Sequence, residues 1–598
     1  MTYRRLTRRF FQTSFSKLLL GVSLIMLPMT VSAKNQNQTF GSAETSAGNF
    51  LAALAADATR DSAAAAHFFR EALREDPRNV ELQERAFVAS VQDGSLTEAF
   101  KLAERVLVRD PQNALAHLTL GVRALKNRQF QTARSHFSKA GGRGRNADLS
   151  AAMLVAWTHV GSGELKKALE TLDRFTEPQL AIYRNFYGGM MADVAGDRRE
   201  AGKRFKLAYE SDGATLRVAD TYARFEARHG NRDAAKAVYA KLAEKPAQVP
   251  FIAAPKKIVD RGETPEPLVS NVAQGAAEVL YTASDIGGRK GAEMIAVIYL
   301  QLSNYLAGDN DMVLVSLAEN FEQLKQYDRA IDLYTRVPEE SGIKTRASLR
   351  AALSFNEMKK TDQALKLIDE RTSKTPFEVS LYETAGAIHR GNKKWSEAIE
   401  ASTKAISLVD RNDKLYWSLF YGRGISYERS KQWPLAEADL KHALTLLPED
   451  PQTEADKAGR AHVLNHLAYS WVDMGMNIDE SFVMLKKAVE LQPRDGYIID
   501  SLGWAYYRLS KFEDAVREIE RAVDLKPSDS VLNDHLGDAY WKAGRQLEAK
   551  FQWNHARDLK PEPDELEKIL RKIDKGMDEP KAAENETPKE TPKKPDGG

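Results

Sequence analysis

Residues 499–506 read Ile-Asp-Ser-Leu-Gly-Trp-Ala-Tyr, and residues 533–540, 34 positions later, read Asn-Asp-His-Leu-Gly-Asp-Ala-Tyr. In this spacing the glycine lets two antiparallel helices approach closely, because a side chain there would hold them apart. The pattern therefore predicts an all-α chain of helix pairs, which must stack to bury their apolar faces. The agreement continues at fixed offsets downstream, as Ala515, Ile519, Ala522 and Pro527 against Ala549, Trp553, Ala556 and Pro561.

Weaker copies of the pattern run in frame through most of the chain, about thirteen in all. They form one block at 46–245 and a second at 271–561. The segment 246–270 between them is rich in proline and has no helical period, so we expect a linker there. The apolar stretch 271–307 is predicted to be a divergent helix pair that starts the second block.

Two segments follow the last repeat. Residues 562–576 have the pattern of a charged amphipathic helix, which would cover the open end of a stack of repeats. Residues 577–598 contain four prolines among lysine, glutamate and aspartate, so we expect this tail to be disordered.

The spacing of Leu-Gly, tyrosine, alanine and proline resembles the tetratricopeptide-repeat (TPR) family. The resemblance implies a TPR α-solenoid of antiparallel helix pairs, here two blocks joined by the Pro-rich linker. It also implies binding of proteins or peptides along a concave face, built by positions 2, 5, 9, 12 and 13 of each repeat. For the last two repeats we predict partner binding by Tyr497, Asp500, Trp504, Tyr507, Arg508, Asp534, Asp538, Trp541 and Lys542. The two preceding repeats offer Tyr421, Ile425, Glu428 and Arg429, then His462, Asn465, Tyr469 and Asp473.

Two alternatives stay open for this aromatic and charged surface. The aromatic side chains either form a groove centred on Trp504, Tyr507 and Trp541, or pack between repeats and against the capping helix. Asp500 and Asp534 occupy positions where the family's carboxylate clamp needs neutral or basic residues, which argues against an acidic C-terminus as ligand. These acids either accept hydrogen bonds from a ligand backbone or from neighbouring basic residues, or belong to a solvated, salt-bridged face.

Composition excludes several functional classes. The 598-residue chain has a net charge of +2, and the five basic residues of its first 33 positions leave −3 for the rest. Such a body lacks the clustered positive charge that nucleic-acid binding needs. The absence of cysteine excludes disulfides, thiol nucleophiles, Cys-ligated metals and a lipid-modified mature N-terminus.

No catalytic motif is present, and we expect neither an enzyme nor a cofactor. The glycine-rich stretch 141–145 has no preceding strand and is predicted to be a loop between repeats. His462 and His466 share a helix face but lack a clear third ligand, so we expect no metal site. His535 and His555 are interpreted as ordinary helix residues.

The first 33 residues have the pattern of a secretory signal peptide, followed by a linker at 34–45. A basic segment precedes an apolar stretch from Leu18 to Val31, and Val31-Ser32-Ala33 is a small-residue cleavage site. The apolar stretch is too short to span about 30 Å of hydrocarbon. An uncleaved anchor and a twin-arginine signal at 7–11 are the alternatives. We expect a periplasmic protein that is not a lipoprotein and meets membranes only through partners.

Residues 459–561 also resemble the C-terminal repeats of exported bacterial TPR proteins, including adaptors of carboxyl-terminal processing proteases. Those adaptors hold a periplasmic protease and deliver envelope substrates to it. The resemblance predicts an adaptor or scaffold, with envelope or polysaccharide-export assembly as the alternative pathway. An enzyme carrying a TPR region would need a compact non-repeat domain, and the sequence leaves little room for one.

Overall fold

A computed structural model describes residues 41, 45–141, 149–245, 248–285 and 292–577. These residues contain 30 α-helices, two short 3₁₀ turns and no strand, so the predicted all-α class is confirmed. Among them, no helix combines the length and apolarity needed to cross a bilayer. The predicted signal peptide, nearly all of the linker at 34–45, most of 141–145 and the tail beyond 577 lie outside the described residues.

The chain divides into two compact units, one through Arg371 and one from Thr372. The helix α19 (Thr361–Lys374) crosses this division. The helices of the first unit are α1 (Ser46–Ala58), α2 (Ser62–Glu75), α3 (Val80–Asp93), α4 (Leu96–Arg109), α5 (Ala114–Lys126), α6 (Phe130–Ala140), α7 (Leu149–Gly161), α8 (Leu165–Asp173), α9 (Ala181–Val194), α10 (Arg198–Asp212), α11 (Leu216–Arg228), α12 (Arg232–Ala243), α13 (Val249–Asp260), α14 (Val272–Asp285), α15 (Glu293–Ala307), α16 (Asp311–Gln323), α17 (Tyr327–Arg336) and α18 (Lys344–Glu357).

The second unit is a run of antiparallel helix pairs closed by a single terminal helix. Its helices are α20 (Val379–Gly391), α21 (Trp395–Ile406), α22 (Trp417–Arg429), α23 (Trp433–Leu446), α24 (Glu454–Asp473), α25 (Ile478–Leu491), α26 (Gly496–Arg508), α27 (Phe512–Leu525), α28 (Ser530–Lys542), α29 (Gln546–Asp558) and α30 (Pro563–Lys575). The single helix α30 occupies most of the segment predicted as a capping helix.

Local signals place the helix ends in the last repeats. Asp529 caps α28 by accepting hydrogen bonds from the backbone N–H groups of Val531 (3.0 Å) and Leu532 (3.2 Å). The turn between α28 and α29 passes through Gly544, whose φ of +82° is a left-handed conformation that glycine adopts without strain. These short turns hold each pair antiparallel.

The predicted division of the chain differs from the structure in two ways. The expected linker at 246–270 contains the helix α13, and the two units divide at 371/372 instead. Pro250 lies in the first turn of α13, where its missing N–H costs no helical hydrogen bond. Ile252 and Val259 bury fully against the preceding pair, and this burial holds the segment in a helix.

The described parts of 271–307 form two helices, as predicted, but the pair does not start a second block. Its helices α14 and α15 pack against α3, α5, α7 and α9, which are the first helices of N-terminal repeats. The apolar residues of this helix pair belong to the same buried core as those of the repeats. The pair is therefore an integral part of the first unit.

The Leu-Gly signature has the structural role that the sequence predicts. A Cβ atom at Gly503 would lie 2.4 Å from Cγ1 of Ile519, and one at Gly537 would lie 2.4 Å from Cδ1 of Trp553. Real side chains do not approach so closely, so glycine is what allows the two helices of each repeat to cross.

We expect Gly537→Ala to lower the free energy of unfolding by about 1–3 kcal/mol, because the new methyl group overpacks a fully buried tryptophan. Urea denaturation followed by circular dichroism measures the change. Gly391→Ala is the matched control, since a Cβ there meets nothing within 4 Å. Equal effects of the two substitutions would contradict the close-crossing role.

Candidate functional site

The inner face of the second unit is the side of the first helices that faces away from the Leu-Gly crossing. On α26, this face carries Tyr497, Asp500, Trp504, Tyr507 and Arg508, at the spacing of one helix stripe. The corresponding stripe of α28 lies beside it, and polar contacts join the two helices. All nine residues predicted for partner binding lie on these two helices.

An aromatic stack occupies the centre of this face. The Trp504 ring stacks on Tyr507, with ring centroids 4.7 Å apart and an interplanar angle of 13°. Its other neighbour is the His535 ring on α28, at 4.5 Å and 22°. The indole Nε1 of Trp504 is buried and has no hydrogen-bond partner among the described residues. Burial and then the charge of Asp538 raise the pKa of Tyr507 to about 12.

Asp500 lies one helical turn before Trp504 and is only 5% exposed. Its Oδ2 accepts a hydrogen bond from Nδ1 of His535 at 2.9 Å, while its Oδ1 is buried without a donor among the described residues. Burial alone would lower the pKa of His535, but the charge and hydrogen bond of Asp500 outweigh it and raise that pKa to about 9. His535 is therefore protonated at neutral pH, and the Asp500 side chain keeps one free acceptor oxygen.

The terminal helix α30 covers the next part of the predicted groove. Nζ of Lys572 lies 2.9 Å from Asp534 Oδ2 and 2.7 Å from Asp538 Oδ2. Trp553 donates to Asp538 Oδ1 at 2.9 Å. Burial raises the pKa of Asp538, and the charge of Lys572 opposes this shift. Trp541 is covered as well, since a Cβ at Gly576 would lie 2.3 Å from its ring.

The remaining predicted residues lie at the ends of the stripe. Tyr497 is half-exposed, and its hydroxyl donates to Asp529 at 2.9 Å. Arg508 donates to the backbone carbonyl of Asp473 at 3.0 Å. Lys542 is half-buried at the end of α28. The structure thus brings Asp500, Trp504 and Tyr507 together on α26, where the Lys572 ion pairs of α30 do not reach. The partner-binding role of all nine residues stays a prediction.

Two segments match the tetratricopeptide-repeat family model, residues 50–114 and residues 501–554. The second segment contains the stack and most of α26 and α28. These two segments match tetratricopeptide repeats. Together with the helix pairs, these matches support a protein-interaction scaffold, since TPR arrays generally bind other proteins or peptides.

Among curated proteins, the TPR repeat-containing protein PA4667 of Pseudomonas aeruginosa is 26% identical over 208 residues. The match covers 35% of this chain, and the chain spans about a third (33%) of the relative's length.

The comparison with solved structures finds, among others, the Cut9–Hcn1 hetero-tetramer of the APC/C and yeast Tom70. Their identities are 12% and 14%, and their TM-scores are 0.37 and 0.32. Each comparison covers 88% of this chain and 95% of the other. At these values the likeness carries no information about partners.

Sequence reasoning missed His535, which was interpreted as an ordinary helix residue. This TPR position points toward the neighbouring repeat, where it both pairs with Asp500 and stacks on Trp504. The i, i+35 spacing of Asp500 and His535 was visible in the sequence. Repeat spacing alone does not say which side chains of neighbouring first helices meet.

The inner face continues through the earlier helix pairs of this unit. Nε2 of His466 lies 3.7 Å from Oε2 of Glu428, and the nearby imidazole lowers the pKa of Glu428. Burial, Asp473 and Asp500 raise the pKa of Tyr469 to about 12. Arg390 makes no ion pair within the described residues, and its guanidinium lies over Gly422, where a Cβ would be 2.8 Å from Nη1. Burial lowers the pKa of Arg390.

The Asp500–His535 pair makes stability depend on pH. His535 has a folded-state pKa of about 9 against about 6.5 in the unfolded chain, so the pair stabilises fully below pH 6.5 and loses its contribution as pH rises through 9. We expect the free energy of unfolding to fall by up to about 3 kcal/mol over this range. Urea denaturation at several pH values measures the slope, which His535→Gln should remove. The exposed His555 gives the control His555→Gln, which should keep it.

Proposed function

We propose that this chain is a non-catalytic, protein-binding TPR scaffold or adaptor of the bacterial cell envelope. A segment of the partner lies along the inner face of the second unit, across Asp500, Trp504 and Tyr507. The observation that carries the proposal is the pair of buried, unpartnered atoms on α26, Asp500 Oδ1 and Trp504 Nε1, one helical turn apart.

One of these atoms accepts a hydrogen bond and the other donates one. A peptide backbone offers the complementary pair, an N–H donor and a C=O acceptor for each residue. Because a buried polar atom without a partner is costly, a ligand that satisfies both atoms gains more than a contact on an exposed surface would give. The stacked ring beside them supplies the rigid aromatic area that dominates protein-binding sites.

The finer proposal is that the chain brings a periplasmic protease and its envelope substrates together. It is supported by the resemblance of residues 459–561 to the adaptors of carboxyl-terminal processing proteases. The signal-peptide pattern of the first 33 residues supports a periplasmic location. Without cysteine, the chain has no residue for lipid attachment of the kind those adaptors carry, so it would meet the membrane through its partners.

Crosslinked pull-down from the periplasmic fraction, read by mass spectrometry, tests this function. Trp504→Ala should remove the main partner, because truncating a central aromatic anchor weakens binding by about 30-fold or more. Phe551→Ala is the matched control, since Phe551 lies 70% exposed on the second helix of the last repeat.

The identity of the lost partner separates the pathways. A protease or a cell-wall hydrolase that disappears only with Trp504→Ala supports the adaptor. Export or assembly components that disappear in its place favour an assembly scaffold. The same partners recovered with wild type, Trp504→Ala and Phe551→Ala would exclude this inner face as the binding site.

A further inference from the structure

The first unit also has an inner face, and α14 lies on it. A Cβ atom at Gly275 would lie 2.1 Å from the Trp157 ring, so the helix backbone presses directly on that fully buried side chain. The hydroxyl of Tyr187 donates to Thr282 Oγ1 at 2.7 Å. Residues 275, 278 and 282 form one stripe of α14, and this stripe faces α7, α9 and α11.

A buried ion pair fixes the position of α14. Nε of Arg217 on α11 donates to Oε1 of Glu278 at 2.8 Å, and the second guanidinium nitrogen also pairs with this carboxylate. The Glu278 side chain is only 7% exposed. Paired burial of this kind requires good geometry, so the pair specifies one position of the helix in the groove.

The partner helix α15 lies against the earlier repeats. Nζ of Lys126 donates to the carbonyl oxygen of Leu306 at 2.8 Å, and Tyr305 packs edge-on against Phe100 at 5.3 Å. Gln301 donates to the carbonyl oxygen of Gln92 at 3.2 Å. These contacts join α15 to three helices of two successive repeats, α3 and α4 of one and α5 of the next.

Residues of α15 and α17 also contact the first two repeats, beside the helix pair. Arg329 on α17 donates to the Asp93 carbonyl at 2.7 Å and to Ser62 Oγ at 2.5 Å. Arg60 pairs with Glu293 at the start of α15 at 3.3 Å. Segments more than 200 residues apart in sequence therefore meet around the helix pair.

We infer that the helices α14 and α15 are the resident ligand of the N-terminal groove, held in cis, so that this groove is closed to partner helices. The occupant is an amphipathic helix pair that presents a glycine, a carboxylate and a hydroxyl to matching tryptophan, arginine and tyrosine side chains. Recognition of partners through an inner face is thereby left to the second unit. The inference depends only on contacts inside the first unit and stands apart from the proposed function.

Because α14 and α15 are part of the same chain as the groove, an external helix competes poorly with them for it. A segment joined to its groove by a short connection acts at an effective concentration of about millimolar, well above the concentration of a typical cellular partner. A competing helix would also have to replace a shared apolar core, and it would leave Arg217 and Glu278 to find new partners.

The absence of cysteine gives a direct test in the full chain. Val279→Cys places a single thiol in the core that α14 shares with the repeats, where Val279 is 2% exposed, and Ser407→Cys gives an exposed reference thiol. We expect maleimide to label the Val279→Cys variant about 100-fold more slowly than the reference, because labelling needs local opening. Adding Gly275→Leu, which forces α14 away from Trp157, should remove most of that protection. Labelling of the Val279→Cys variant as fast as the reference, without a second substitution, would overturn the inference.

A fluorescent peptide of residues 270–308 tests the ligand role itself. It should bind the full-length Gly275→Leu variant and not the wild type, whose groove is filled. Equal binding to both would overturn the inference. Glu278→Gln with Thr282→Val removes the same two contacts from the side of α14 and leaves the groove side chains unchanged, which gives a second opened variant without added volume. Circular dichroism checks that each variant keeps its helix content. If the opened variants are folded and still fail to bind the peptide, then α14 and α15 are elements of the fold and not a ligand of the groove.

Discussion

Replacing Arg217 by methionine is expected to lower the free energy of unfolding of the first unit by about 3–5 kcal/mol. The substitution leaves the Glu278 carboxylate, 7% exposed, without its cation in the protein interior. An unpaired buried charge costs more than the lost attraction alone, because the group was already desolvated in the fold. Urea denaturation followed by tryptophan fluorescence measures the change, since the buried Trp157 lies against the same helix.

The double variant Arg217→Met with Glu278→Leu is the informative control. Replacing a buried ion pair by apolar side chains of similar volume is often neutral or stabilising, so we expect stability to return close to that of the wild type. The double-mutant cycle then gives the coupling between the two side chains. A double variant that is no more stable than Arg217→Met would mean that the cost comes from packing and not from the buried charge.

The repeat pattern predicted the fold because its signals are local. Gly503 and Gly537 act at helix crossings inside single repeats, and the residues they meet lie 16 positions away in the same repeat. A 34-residue period repeats this local geometry, so it predicted the helix pairs correctly even where the copies are weak.

The placement of α14 and α15 could not be predicted in the same way. Apolar periodicity identified 271–307 as helical, but it does not say which surface the helices cover. That choice depends on contacts such as Gly275 with Trp157, between residues 118 positions apart. Proline content was misleading for a related reason, because Pro250 sits in a first helical turn where proline is tolerated.

The candidate site was predicted in part. Trp504 and Tyr507 lie off the Leu-Gly crossing, and the sequence placed them correctly on the inner stripe of α26. The sequence left open whether the aromatic residues form a groove or meet the capping helix. In the structure, the two tryptophans have different surroundings. Trp541 meets the segment at the end of α30, whereas Trp504 stacks between Tyr507 and His535.

The two units differ in how much of the inner face of their helix pairs is covered by other parts of the chain. In the first unit, the inner face of the repeats is filled by a later part of the chain. In the second unit, α30 covers the inner face only at the last repeat, and the Asp500–Trp504 cluster keeps two unpartnered polar atoms. We therefore expect the length of the open face to depend on how firmly α30 is held, and the ion pairs of Lys572 with Asp534 and Asp538 are the contacts to test.

We expect Lys572→Met to release α30 from the last repeat, at a cost of about 3–5 kcal/mol in docking free energy. The substitution leaves Asp534 and Asp538, 7% and 5% exposed, facing each other without a cation. Because α30 has a single buried apolar anchor, Ile569, undocking relieves the two charges more cheaply than unfolding the repeat. Hydrogen exchange should therefore rise over 563–575 and stay unchanged over α26.

Lys568→Met is the matched control on the same helix. Lys568 is 60% exposed, and within the described ranges it pairs only with Glu565 at 3.1 Å, an exposed contact worth about 0.5 kcal/mol or less. Its exchange profile should match that of the wild type. Undocking of α30 would also expose Trp541, Asp534 and Asp538, so Lys572→Met should lengthen the open face to the stripe that the sequence predicted. Unchanged exchange over 563–575 in Lys572→Met would mean that apolar packing, and not the ion pairs, holds the terminal helix.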